Sequence, residues 1–434
     1  MKIAKLLAAL AACSVSFAAG LSLEECVQSA LENNNDIKAL KSAYEASTSR
    51  TNQIRSAYFP QINGSFGFSR TVTPLSTSFG SLLSSIPGLS STSDVITYSA
   101  AVSAQMIFYD FGRTGASEKQ AFLGEQSALL RYEQKKQEIG YNVKKAYYGL
   151  LQAGALAALS EVTKNEMKSL YDSVKERYSQ GVATPVDTLN AESEYVKFSA
   201  EASKARRRLE LAADSLALVL GKKSGENVRL SGETLPAIEA APLGVTSLEK
   251  CFALALMNKL DFQASDLSVE SAAASIAGAY SDWLPSLSGN ARYDLSGTQF
   301  PLDQGGYSYG VTLNIPLFSG FSSSAKLAAA EADRKNAVSS AASLKEALLL
   351  QVKTNYYGAL DKSEDAAAAN KKQEYLEKNY EAMKAKYDVG LTSITDLIDA
   401  ESKKAAGVTD SKQALFNYRM QVNELEYSIG GVKY

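Results

Sequence analysis

The sequence predicts an α+β membrane protein built from two structural repeats, each running helix–strand–strand–helix–helix. Three observations carry this: an internal repeat, four segments of strand length with alternating polarity, and helical runs too long to cover a small sheet. The repeat is plainest in YSQGVATPVDTLNAES (178–193) and YDVGLTSITDLIDAES (387–402), where Tyr178, Gly181, Asp187, Ala191, Glu192 and Ser193 recur as Tyr387, Gly390, Asp396, Ala400, Glu401 and Ser402.

Earlier in the chain Ser22-Leu23-Glu24 recurs as Ser247-Leu248-Glu249, a shift of 225 that also relates Leu31 to Leu256, Asn33 to Asn258, Asp36 to Asp261, Pro60 to Pro285 and Gly64 to Gly289. From Tyr147-Tyr148-Gly149, matching Tyr356-Tyr357-Gly358, the shift is 209, so the first copy holds 16 extra residues. They fall in the Ser-, Gly- and Pro-rich stretch 73–94, because loops accept insertions where packed elements do not. The resulting division is a leader over 1–20, a first repeat over 21–227, a linker over 228–244 and a second repeat over 245–434.

The strands come next. Ile62, Gly64, Phe66 and Phe68 alternate with Asn63, Ser65, Gly67 and Ser69. Period two gives one apolar and one polar face. The same pattern marks strands over about 61–72, 95–109, 286–297 and 306–318. Lengths near ten residues suit a tilted span of the hydrocarbon layer. The helices are predicted over about 114–180, 184–220, 322–389 and 393–430. From Ser322 to Val389 there is no proline and one glycine, Gly358. That run makes a helix of roughly 100 Å, far more than a four-stranded sheet can cover. Its small residues, such as Ala366 to Ala369, favour close helix packing, as in a coiled-coil wall.

Composition narrows the function. Net charge is −2, which gives no reason to expect nucleic acid as a partner. The chain has no histidine, the commonest general base and metal ligand. No phosphate loop or CxxC pair is present. The sequence therefore predicts no enzyme, no cofactor and no metal. MKIAKLLAALAACSVSFAAG has the charged start, apolar stretch and small-residue end of a secretory signal peptide. Cleavage near Ala18–Gly20 is one outcome; lipidation of Cys13, in the lipobox-like Leu10-Ala11-Ala12-Cys13, is the other. The short apolar stretch ahead of Cys13 favours cleavage. Cys26 and Cys251 occupy matching helical positions and are expected to be buried thiols.

Four strands cannot close a membrane barrel, and open edges are not tolerated in lipid. The chain must oligomerise into a ring, and sequence physics alone leaves the number of subunits open. The duplicated SLEEC…ALENN and SLEKC…ALMNK starts, the YFPQI and WLPSL strand beginnings and the two YxxG(V/L)xxxxD turns supply it. In this order the chain resembles the TolC-like outer-membrane efflux protein family. The resemblance implies a homotrimer whose twelve strands form a barrel in outer-membrane lipid, with a long α-helical tunnel through the periplasm. It implies export, of drugs or other small molecules or of secreted protein, from an inner-membrane transporter by way of a periplasmic adaptor. The adaptor would grip the tip turns at Gly181, Val182, Gly390 and Leu391. Aspartates matching Asp396 and Asp399, together with Asp187 and Tyr387, would line a periplasmic gate. The family's latch arginine falls at Thr392, so that link is not expected here.

Local chemistry accounts for part of this site. Thr184 to Asp187 and Ser393 to Asp396 both read as capping boxes, with Pro185 at a first helical position. Gly181 and Gly390 fit left-handed helix ends. Asp399, on the same face as Asp396 and matched by Asn190, has no such explanation. A passive porin and a periplasmic coiled-coil scaffold or adhesin are the alternatives. The first leaves the long helices without purpose, and the second leaves the four strands without one.

Overall fold

The computed structural model describes residues 22–74, 92–222 and 247–431. The leader with Cys13, most of the 73–94 insertion and the 228–244 linker lie outside them. Each repeat begins with two helices where the sequence suggested one: α1 (Leu23–Asn33) and α2 (Asn35–Arg55), then α5 (Leu248–Asn258) and α6 (Leu260–Tyr280). The break at Asn34 has a local cause. Its backbone is extended, and its Oδ1 accepts from the amides of Asp36 (2.8 Å) and Ile37 (3.3 Å), which starts α2. Ser22 starts α1 through a reciprocal box with Glu25. Ser247 starts α5 with a single bond, because Lys250 stands where Glu25 would be.

The strands are β1 (Gln61–Pro74), β2 (Thr92–Tyr109), β3 (Ser286–Gly297) and β4 (Gln304–Asn314). They form one antiparallel sheet in the order β1-β2-β3-β4. The alternation predicted for β4 runs on to Phe318, but pairing stops at Asn314. Pro316 has no N–H to donate to a ladder, so the strand ends ahead of it. Register brings all four apolar faces to one side. Ile62, Ala104, Ala291 and Tyr309 form one cross-strand row, and Gly64, Val102, Tyr293 and Tyr307 the next. The opposite side carries Asn63, Ser103, Arg292 and Ser308. One irregularity was not legible from period two: a bulge between Ile107 and Tyr109 lays the Phe108 ring over Gly289.

The long helices are α3 (Arg113–Ser179), α4 (Pro185–Val219), α7 (Ser322–Asp388) and α8 (Ile394–Ser428). No described helix is long and apolar enough to cross a membrane. The chain divides into two compact units. One holds Met1–Ser42, Leu130–Gln263 and Ser343–Tyr434; the other holds Ala43–Leu129 and Ala264–Ala342, with the sheet.

The first unit has two related cores. In one, Cys26 and Ala30 of α1 pack with Val143, Tyr147 and Leu150 of α3 and with Leu216 and Leu220 near the end of α4. In the other, Cys251 and Ala255 of α5 pack with Val352 and Ala359 of α7 and with Leu425 and Ile429. Most of these residues are repeat partners, so the duplication seen in sequence is a duplicated packing scheme. Both cysteines are buried, as expected, and no disulfide joins them. Each core ends in a helix-terminal glycine. Gly221 and Gly430 have φ of +72° and +68°, and Lys222 and Gly431 donate back into the last turn. A Cβ at Gly430 would lie 2.8 Å from the Asn258 backbone carbon. This close approach explains why Asn33 and Asn258 recur with the glycines.

Gly430→Ala is therefore expected to lower the thermal midpoint more than Gly390→Ala. Both incur left-handed strain of about 1–2 kcal/mol, but Gly390 has open space around it. Equal midpoints for the two variants would mean that the Asn258 contact yields without cost.

Candidate functional site: the paired helix turns

The two quoted turns lie in the first unit, at the α3–α4 and α7–α8 junctions, and are built alike. In the first, Gly181 has φ +77°, its amide reaches Tyr178 O, and Val182 N donates to Arg177 O at 2.9 Å. In the second, Gly390 has φ +76° and Leu391 N donates to Lys386 O at 2.8 Å. Thr184 then caps α4, with Asp187 Oδ2 accepting from the Thr184 amide (2.9 Å) and hydroxyl (2.7 Å). Ser393 caps α8 in the same way, with Asp396 Oδ2 accepting from its hydroxyl at 2.7 Å and its amide at 3.2 Å. Thr392 adds a third donor at 2.9 Å. Thr392 is thus turned inward onto the cap.

These bonds hold both carboxyls below the usual aspartate range: Asp187 through the Thr184 hydroxyl and then its amide, Asp396 through Ser393 and then Thr392. A depressed proton affinity means that the caps are intact above the ordinary aspartate range and weaken as pH falls through the lowered value.

Asp396 and Asp399 share the exposed face of α8, opposite Ile394, Leu397 and Ile398, which are buried. Asp399 is not a lone carboxylate. Lys403, one turn on, approaches it to 2.6 Å and is held more firmly protonated by it. The i,i+4 spacing in DAESK that pairs them is legible in sequence. Asn190 is exposed at the matching place on α4, while Asp187 is half-buried in its own box.

The two hairpins meet in one apolar cluster in which Val174 of α3 and Ala191 of α4 pack with Ile394, Leu397 and Ile398 of α8, beside Tyr380, Met383 and Tyr387 of α7. The Arg177 guanidinium lies 4.6 Å from the Tyr387 ring centroid, a cation–π contact joining the hairpins. Nothing in the linear sequence pairs these two residues. Val182 and Leu391 are among the most exposed apolar side chains, at 73% and 77%. Among the described residues no group of acidic or thiol side chains is placed to hold a metal ion.

A sheet with one face apolar except for the Arg70–Asp94 pair near its end, and with two edges that have no partner in this chain, in a chain that also forms paired helical hairpins, defines a channel-type outer-membrane protein. The chain belongs to the outer membrane efflux protein family, whose model matches residues 26–222 and 252–431. It is similar to the outer membrane protein TolC of Vibrio cholerae, with 23% identity over 94% of this chain and 90% of that one. Among solved structures it resembles the Campylobacter jejuni CmeC outer membrane channel, with a TM-score of 0.81, 16% identity, and coverage of 94% of this chain and 85% of that one. It also resembles a Pseudomonas aeruginosa membrane protein, with a TM-score of 0.80, 18% identity, and coverage of 96% and 95%. These likenesses bear out the expected fold class, and membership places the protein in the bacterial outer membrane with a periplasmic extension.

Ser393→Ala should fray the first turn of α8 at a cost of about 1 kcal/mol, whereas Thr392→Ala, which leaves the box closed, should cost less. Amide exchange over 394–397 measures both. Equal protection in the two variants would show that the apolar cluster alone holds the turn.

Proposed function

We propose that this protein is the outer-membrane duct of a tripartite export system, working as a homotrimer whose twelve strands close one barrel. Substrate is passed along and not transformed. The unpartnered edges of β1 and β4 support the ring, because each leaves a row of backbone groups that lipid cannot satisfy. The family resemblance supplies the number three. A periplasmic adaptor fits the tips at Gly181-Val182 and Gly390-Leu391, where rigid capped turns present bare apolar side chains. An inner-membrane transporter would supply the drive. The cargo is either a drug-like small molecule or a secreted protein. A passive porin accounts for the sheet and leaves the hairpins idle.

Asp396 and Asp399 would line the periplasmic mouth, with Asp187 and Tyr387 fixing the turns behind them. Three chains bring six such carboxylates together. Their repulsion is relieved by cations or protons and, at Asp399, by Lys403. Arg177 on Tyr387 takes over a linking role that Thr392 cannot fill.

The observation that carries this reading is the exposed Asp396–Asp399 pair on a face that packs against nothing within the chain. In single-channel recordings, Asp399→Asn should weaken block by multivalent cations while the thermal midpoint stays within a few degrees, since Asn190 already serves at the matching position. Lys403→Gln should strengthen the block, because it uncovers the Asp399 charge. If neither variant alters the block, these aspartates do not line the constriction.

A further inference from the structure

Glu192 and Glu401 are the same residue in the two copies of the repeat, yet they have opposite surroundings. Glu192 is exposed on α4. Glu401 is 2% exposed inside the first unit, two turns along α8 from its cap. Its carboxylate oxygens are shut off from solvent and lack a well-aligned hydrogen-bond donor. What faces it is charge and one hydroxyl: Lys404 Nζ lies 2.8 Å from Glu401 Oε1, and the Tyr380 hydroxyl of α7, whose own proton is held more tightly by burial and by Glu401, also bears on it. The same ammonium lies 3.3 Å from Glu166 Oε2 on α3 and 4.2 Å from the Tyr380 ring centroid on α7. From α4, Glu194 accepts from Ser402 at 3.3 Å and is itself paired with Lys197. One ammonium thus serves two carboxylates at the seam between the hairpins, and one of the two is almost wholly out of water.

The other copy has nothing comparable. The positions matching Tyr380 and Lys404 are Tyr171 and Tyr195, whose rings stack at 6.1 Å with an interplanar angle of 2°. The position matching Glu166 is Tyr375, which is exposed. An acid retained in both copies is therefore solvated in one and enclosed with an added lysine and a second acid in the other. Capping does not require this, and an apolar seam would pack without it.

We propose that Glu401, Glu166 and Lys404 form a proton-sensitive clamp between α8 and α3, with Glu401 as the positioning group that sets how tightly the second hairpin is held against the first. Burial raises the proton affinity of Glu401; Lys404 opposes this and Glu166 adds to it. Lys404 is also held protonated, the two carboxylates outweighing the cost of its burial. Both groups bind a proton more tightly in the packed arrangement than in water. Packing is therefore favoured on the acid side and loosens as pH rises through the raised Glu401 value, from just above the ordinary glutamate range. The consequence for conduction rests on the gate reading above; the clamp itself does not.

The test uses the full-length protein in lipid, with spin labels at Lys168→Cys on α3 and Ala406→Cys on α8, both exposed sites. Cys26 and Cys251 are buried and should stay unlabelled. Label separation is measured at about pH 4, within the ordinary glutamate range, and at about pH 8, with bilayer conductance in parallel. The parent and the control Glu192→Gln should both widen at the higher pH. Glu401→Gln, which mimics the protonated acid, should stay at the narrow spacing at both. The closed-to-open ratio should change roughly tenfold for each tenfold difference in proton affinity between the two states. Should Glu401→Gln fold poorly, Glu166→Gln gives a second reading: without its neighbour's charge Glu401 loses its proton earlier, so widening should begin at lower pH. A separation that ignores pH in the parent, or that shifts equally in Glu401→Gln, overturns the clamp. A separation that shifts as expected while conductance stays flat keeps the clamp and removes the gate.

Discussion

The structure depends on a constraint of backbone chemistry: inside a membrane every N–H and C=O must find a partner within protein. Four strands satisfy this between neighbours and fail at the two outer edges, β1 and β4. The chain therefore specifies part of a wall and not a whole one. The side chains agree with this. In a soluble half-buried sheet the apolar face would pack on its own chain, whereas here Phe66, Tyr307, Tyr309 and Val311 remain largely exposed along one face. The opposite face is polar row by row, which suits a water-filled interior. The cross-strand register matters as much as composition, since a slip of one residue in any strand would turn polar groups toward lipid.

Much of this was legible in sequence because period two and the repeat are both signals that survive without a partner chain. The four strands, the long helices, the capping boxes and the two left-handed glycines came from local chemistry, and each is found where it was expected to within a few residues. The misses share a cause: they depend on what a residue meets in space. Asn34 splits the first helix because its side chain can cap the second. β4 ends early because Pro316 cannot pair. The bulge at Phe108 depends on Gly289, a residue 181 positions away in the chain.

The candidate site divides along the same line. Asp187 and Asp396 could be assigned to caps from four consecutive residues each. Asp399 stands out because the repeat sets it against Asn190. Its neutralising partner Lys403 stands at i+4, a spacing that the sequence alone displays. Arg177 on Tyr387 and the enclosure of Glu401 could not be read at all. The repeat even concealed the latter, since identical residues at Glu192 and Glu401 suggest identical surroundings.

That concealment points to how a duplicated chain acquires asymmetry. The parts that must be the same in both copies are held by short-range chemistry: glycine at the helix end, hydroxyl and carboxyl at the next helix start, a small thiol or alanine in the core. These make each turn rigid in itself. The differences lie at the seams, where Arg177 meets Tyr387 and Lys404 lies between Glu166 and Glu401. Apolar packing at such a seam, as among Val174, Leu397 and Ile398, is indifferent to pH and salt. Charged pairs are not, and a buried pair with imperfect geometry contributes little net stability. A seam that needed only strength would have done better with leucine. Placing an acid, a lysine and a second acid there makes the contact responsive, and confines that response to the boundary between two hairpins that are each internally fixed.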